Sequence, residues 1–206
     1  MVTILSHPLV EHWIGELRNV ETGPARFREL VRHLSAALFL EASRDLPLRE
    51  TTTRTPLTET VARRLASGPV LAPILRAGIG MADGVLDFVP EASVYHLGFY
   101  RRHDTLEAVC YYRPKVSGAA GRRAFVLDPM LATGGSAVAA LDEVYRWGVE
   151  RPKLLCLLGA PEGVERVRRA HPEVEIYLGA LDERLNEIGY ILPGLGDAGD
   201  RQFNSP

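Results

Sequence analysis

Val126 to Ser136 reads VLDPMLATGGS. Ala124 to Asp128 is expected as a core strand, its short apolar run the pattern of a strand buried on both faces. Asp128 stands at its end and a short loop follows. From Gly135 to Trp147, Val138, Leu141, Val144 and Tyr145 share one face of a helix. A helix start offers unpaired N–H groups and a partial positive charge. Gly134 and Gly135 let the backbone approach an oxygen closely, and Thr133 and Ser136 add hydroxyls. Such a loop suits a phosphate monoester. Asp128 would be repelled by phosphate, but a carboxylate there suits the hydroxyl pair of a sugar. The plain alternative is a tight strand-to-helix turn capped by Thr or Ser.

Working outward, Pro69 to Leu75 (PVLAPIL) is a second buried strand, followed by Gly78 to Phe88 at helical spacing. Arg76 sits at that strand's end and Gly78 and Gly80 mark a tight loop. Beside the first loop it becomes a second anion site, as a diphosphate would need; alone it reads equally as a capping turn. Ser93 to Tyr100 and Leu106 to Tyr112 are expected as a β-hairpin with its turn at Arg101 to Asp104. Its basic tip could cover a reacting phosphate or be solvated turn charge. Lys153 to Gly159 and Val174 to Leu181 are strands around a helix from Glu162 to Ala170. Upstream, residues 9 to 43 form two helices divided at Thr22-Gly23-Pro24. Residues 46 to 57 are extended, and Thr58 to Leu65 is expected as a short helix. The alternation predicts an α/β fold: a mostly parallel central sheet with flanking helices and a protruding β-hairpin. Asp182 to Pro206 departs from it and is expected to be irregular but functional, given its apolar Tyr190, Ile191, Leu192 and Leu195.

Other chemistries find little support. The chain has 206 residues and a formal net charge of −2, which argues against nucleic acid or an anionic membrane as a partner. The N-terminus lacks a signal-peptide pattern and no apolar run reaches membrane-spanning length, so a cytoplasmic protein is expected. Cys110 and Cys156, both in apolar runs, are expected as buried free thiols. The six histidines are scattered, without metal-ligand spacing. No GxxxxGK[ST] is present. Gly194, Gly196 and Gly199 match GxGxxG, but no core strand precedes them and too little chain remains for a helix and a ribose-binding acid.

DPMLATGGS (Asp128 to Ser136) resembles the phosphoribosyl-diphosphate motif of type I phosphoribosyltransferases, in the form typical of the uracil phosphoribosyltransferase family. PILRAGIGM (Pro73 to Met81), FYR (Phe99 to Arg101), APEG (Ala160 to Gly163) and LDERLNEIGYILPGLGDAGDR (Leu181 to Arg201) are similar to that family in the same order. The resemblance implies transfer of a phosphoribosyl group from 5-phospho-α-D-ribose 1-diphosphate to uracil, giving UMP and diphosphate in pyrimidine salvage. It implies one domain, with an N-terminal segment at 1–68, the α/β core at 69–181 and a uracil-binding hood at 182–206.

The resemblance also assigns roles. Asp128 and Arg101 would be catalytic. Asp128 would hold ribose hydroxyls, and Pro129, Met130, Leu131, Ala132, Thr133, Gly134, Gly135 and Ser136 complete the loop around the 5′-phosphate. Arg76, Ala77 and Gly78 would bind diphosphate, Arg101 would close over it, and Asp197 would face the same substrate. Ile191, Gly196, Asp197 and Ala198 would read uracil, largely through the backbone. Mg²⁺ is implied, carried by the diphosphate and not by a protein cage. The family also implies a homodimer or larger homo-oligomer, with the N-terminal helices as candidate contacts, and GTP as an effector. Two competitors are an RNA-binding pyrimidine regulator on the same fold, which would need a basic face, and a purine-specific enzyme, which would need a larger pocket.

Overall fold

The computed structural model describes residues 1–101 and 108–205. The elements run β1 (Val2–Ile4), α1 (Pro8–Arg18), α2 (Pro24–Ala42), β2 (Leu48–Arg54), β3 (Glu59–Leu65), β4 (Val70–Leu75), α3 (Ile79–Leu86), β5 (Ser93–Val94), β6 (Leu97–Arg101) and β7 (Ala108–Tyr112). They continue as β8 (Ala124–Leu127), β9 (Met130–Leu131), α4 (Gly135–Arg146), β10 (Lys153–Gly159), α5 (Pro161–Ala170), β11 (Glu175–Leu181), β12 (Arg184–Leu185), β13 (Ile191–Leu192) and α6 (Ala198–Phe203).

The central sheet has the order β1-β11-β10-β8-β4-β6-β7, with β5 beside β4 and β9 beside β10. All its pairings are parallel except β6 with β7, which form the expected hairpin. The strand side chains alternate between two cores. Leu71, Phe125, Leu127, Leu155 and Leu157 pack with α1, α2 and α3 on one face. Val70, Ala72, Val126, Leu154 and Cys156 pack with α4 and α5 on the other. Burial on both faces explains the unbroken apolar runs.

From β4 the chain moves through α3 to β5 and β6; from β8 it moves through α4 to β10, the opposite way along the sheet. The reversal lies between β4 and β8. Ligands of open α/β sheets bind at such a switch point, outside the carboxyl ends of the strands.

Several expectations need correcting. Thr58 to Leu65 is a strand, not a helix: β3 pairs antiparallel with β2 from Arg54↔Glu59 to Leu48↔Leu65. The turn is made by Thr55, whose Oγ1 accepts from the Leu57 and Thr58 N–H groups. Both strands are largely exposed, so no buried face imposed a readable period, and β-branched Thr60 and Val61 were the better guide. The stretch expected as one strand from Ser93 is split into β5 and β6. The short edge strand β1 was not anticipated. Cys156 is buried but Cys110 is exposed, because its strand β7 ends the sheet. The tail is not irregular: it holds the β12–β13 hairpin and α6. A short helix, α6, therefore does open within the GxGxxG match, while the lack of a preceding core strand still argues against a dinucleotide site. Among the described residues, no helix is long and apolar enough to cross a membrane.

Candidate active site

The two loops named from the sequence meet at the switch point. β8 ends at Leu127, and β9 resumes two residues later in unchanged register with β10: Leu155 faces Leu127 and Leu158 faces Met130. Between them Asp128 donates its N–H to Leu155 O at 3.2 Å, and the Pro129 carbonyl accepts from Leu157 and Leu158. The backbone of this interruption is thus satisfied by β10, while the Asp128 carboxylate projects beyond the strand and accepts from Met130 N at 3.3 Å. Pro129 is buried and lines neither cavity described below. Behind Asp128, burial and then the Asp128 charge push the Cys156 thiol well above its ordinary pKa. It is no nucleophile.

The phosphate loop then enters α4. Gly134 has φ +76°, a region that other residues enter only at a cost. A Cβ on it would also lie 2.8 Å from Gly163 O. Gly163 itself comes so close that a Cβ would lie 2.4 Å from Ala132 O. That close approach is the physical content of APEG: α5 supports the loop from behind. No side chain caps α4, the first-turn N–H groups of a helix lack an intrahelical acceptor, and Met130 to Ala137 surround a hollow of about 30 Å³ at this helix start.

The other loop leaves β4 at Arg76, after a cis Leu75–Arg76 peptide bond. Arg76 is half exposed; its Nη2 meets Asp200 Oδ1 at 2.7 Å and its Nη1 donates to Ser205 Oγ at 2.8 Å. Gly78 caps α3 and donates its N–H to Ile74 O.

A cavity of about 440 Å³ joins these loops to the tail. Ala77, Asp128, Met130 and Ala132 line it from the loops, and Gly189, Tyr190, Ile191 and Gly196 to Gly199 line it from the tail. The four tail residues expected to read the base, Ile191, Gly196, Asp197 and Ala198, therefore line the same cavity as Asp128. Asp197 is also the N-cap of α6, its Oδ1 accepting from Asp200 N at 2.9 Å. The side chain of Arg101, at the end of β6, and the hairpin tip at 102–104 lie outside the described residues.

The sequence did not point to what holds the tail in place. Asp182, buried, accepts from Arg18 through both oxygens and from Gly194 N. Arg18 also donates to Gly194 O at 2.8 Å. Arg201 lies over the Phe27 ring and donates to the carbonyls of Leu17, Asn19, Thr22 and Leu195; burial lowers its pKa. Glu162 accepts from Leu185 N at 3.0 Å, a hydrogen bond that lowers its own pKa. Also missed was Arg166, an exposed residue of α5 whose Nη1 reaches Thr133 O at 3.5 Å. Its position on a polar stretch of helix with three arginines gave no signal; only the packing of α5 behind the loop brings it to Thr133.

Among the described residues, no group of three or more His, Cys, Asp or Glu could hold a metal ion. The cavity does carry two carboxylates, Asp128 and Asp197. That donor set fits a Mg²⁺ arriving on a diphosphate, which keeps most of its waters.

The family model for uracil phosphoribosyltransferase matches residues 4–205. A uracil phosphoribosyltransferase of Symbiobacterium thermophilum is 52% identical over 99% of this chain and 98% of its own. One from Lachnoclostridium phytofermentans is 49% identical over the same shares. The AQ2163 protein of Aquifex aeolicus superposes with a TM-score of 0.94 at 40% identity, covering 98% of each chain. A hypoxanthine phosphoribosyltransferase of Staphylococcus aureus, 12% identical over 77% of this chain and 76% of its own, shares the fold with a TM-score of 0.53. With the sheet's switch point, the phosphate loop and the closing tail in one arrangement, the chain belongs to the uracil phosphoribosyltransferase family.

Proposed function

We propose that this protein joins uracil N1 to C1 of 5-phospho-α-D-ribose 1-diphosphate, releasing diphosphate and forming UMP. The observation that carries the reading is the single cavity with Asp128, Met130 and Ala132 on one side and Ile191 with Gly196 to Ala198 on the other. A sugar gripped at the loop has its C1 facing a base held by the tail.

The C1–O bond to diphosphate breaks with its electron pair, the N1–C1 bond forms and the N1 proton is released. The sugar develops oxocarbenium character and needs no enzymic nucleophile. The work is positioning and charge stabilisation. Asp128 accepts from the ribose hydroxyls. Ala132 to Ser136 surround the 5′-phosphate. Arg76 with the Ala77 and Gly78 backbone takes the diphosphate, and Arg101 joins from the hairpin. Ile191 and Gly196 to Ala198 read uracil's O4 and N3–H edge. Cytosine reverses donor and acceptor there, and a buried unpaired polar group costs about 1–3 kcal/mol. Bound with the diphosphate near Asp128 and Asp197, Mg²⁺ would neutralise leaving-group charge.

The test is UMP formation from uracil, the diphosphate sugar and Mg²⁺, with hypoxanthine and guanine as competing bases. Absence of UMP, or a preference for a purine, overturns the reading. Adding GTP to the same assay tests an effector role, which rests on the family likeness.

We also propose a homo-oligomer whose contact is a second copy of this chain. A groove of about 560 Å³ bordered by Ile4, Leu9, Trp13 and Leu40 opens on α1 and α2, and the β2–β3 ribbon exposes Leu48, Leu57 and Val61. An isolated two-stranded ribbon is marginal in water, so both surfaces gain from being covered. A monomer in sedimentation equilibrium would refute this.

A further inference from the structure

We propose that Asp200 couples the two halves of the site, passing diphosphate occupancy at Arg76 to the base-binding tail. The inference rests on reading Arg76 as the diphosphate residue and the tail as the uracil site.

Arg76 follows β4 in sequence but makes its polar side-chain contacts with α6 and with Ser205 just beyond it. Its Nη2 pairs with Asp200 and its Nη1 with Ser205. The guanidinium also lies along Gly199, where a Cβ would sit 3.6 Å from Nη2 and 3.8 Å from Nε. Gly199 lines the cavity, so the diphosphate residue rests on the wall of the base pocket. A second link lies beneath. Fully buried Gln202 donates through Nε2 to Ala77 O at 2.9 Å and to Ala198 O at 3.0 Å. These carbonyls belong to two cavity residues, one from the loop after β4 and one from the tail.

The two links differ in what a ligand can do to them. Gln202 is neutral and buried, and it fixes the scaffold. The Arg76–Asp200 pair is charged and partly exposed, with 54% and 35% of the side chains accessible. A guanidinium carries five N–H donors in a rigid fork; Asp200 and Ser205 engage one from each terminal nitrogen, and three remain for a ligand. A diphosphate clamped there immobilises the guanidinium, so its pairing with Asp200 then costs no further side-chain entropy. The α6 end of the tail is thereby held where uracil binds. Coupling of this kind is reciprocal: uracil must tighten diphosphate by the same factor.

Asp200→Asn removes the charge yet keeps the backbone bonds at this position, the N–H to Asp197 Oδ1 and the carbonyl accepting from Asn204 and Ser205. Calorimetric titration of the full chain with uracil, with Mg²⁺–diphosphate and with both yields the coupling factor. In the unmodified protein Mg²⁺–diphosphate should tighten uracil binding. Asp200→Asn should cut that factor by about two- to fivefold, the worth of a partly exposed ion pair, while uracil binding alone is unchanged. Asp200→Glu should restore part of it. The proposal is overturned if the unmodified protein shows no coupling, if Asp200→Asn keeps it, or if the loss appears equally in uracil alone. Failure of uracil to bind under any condition, or Mg²⁺–diphosphate binding indifferent to Arg76→Ala, would instead sink the site assignment beneath it.

Discussion

Between Leu127 and Gly135 the chain is shaped by its own backbone and by its neighbours in the sheet. β10 takes the polar groups of Asp128 and Pro129, a left-handed glycine turns the chain, and α5 presses from behind through Gly163. From Asp182 to Ser205 the shape is imposed by side chains far away in sequence. Arg18 of α1 clamps Asp182 and Gly194. Arg201 binds the turn between α1 and α2 together with Leu195, and Arg28 of α2 donates to Gln202 O. The phosphate loop belongs to the sheet, while the tail is borrowed from the N-terminal helices. On the proposed site assignment, base recognition can therefore fail or change while phosphate recognition persists.

Asp182→Ala should separate the two most strongly. It leaves Arg18, with 24% of its side chain accessible, without its carboxylate. Breaking a largely buried pair costs about 3 kcal/mol. Thermal unfolding should shift down accordingly, uracil binding should collapse and Mg²⁺–diphosphate binding should survive; loss of both ligands together would mean the regions are one unit. Asp128→Asn makes the opposite cut. A hydrogen bond to a charged group is worth about 1.5–3 kcal/mol, so turnover should fall roughly 10- to 100-fold with little change in melting temperature. Equal losses in both would make Asp128 structural. Arg166→Ala removes an exposed cation beside the phosphate loop. Steady-state kinetics should show KM for the diphosphate sugar rising about two- to fivefold, with KM for uracil unchanged; the reverse pattern would place Arg166 with the tail. The smallest effect is acid-dependent. The Leu185 N–H holds the Glu162 carboxyl below its ordinary pKa. The stabilisation is present above the unfolded carboxyl value and lost as pH falls through the lowered folded value. The protection of the Leu185 amide against hydrogen exchange, taken relative to its intrinsic rate at each pH, should fall as acid protonates Glu162, and Glu162→Gln should remove that pH response.

The order of strands and helices was written in the sequence wherever a buried face imposed a period. Leu71, Phe125, Leu155 and their neighbours alternate between two cores, and their continuous apolar runs announced a two-sided sheet. The β2–β3 ribbon, without a buried face, carried no such signal and was misread at Thr58 to Leu65. In the tail, the residues that line the cavity were legible as a motif, but its helix and hairpin were not. Asn186, whose Oδ1 accepts from Ile188 and Tyr190, forms a turn too local to show a period.

By itself, the sequence determined the class of ligand. Strand, acid, TGGS and helix make the loop proposed for phosphate through local geometry, because helix starts and left-handed glycines act over a few residues. Only the tertiary structure decided that Ile191 and Gly196 to Ala198 face Asp128 across one cavity, that Arg166 stands by the loop, and that Arg76 leans on Asp200. Those contacts join residues from 33 to 124 positions apart. No local propensity encodes them; they follow from the direction in which the chain turns at the switch point and from the arginines that tie its end to its beginning.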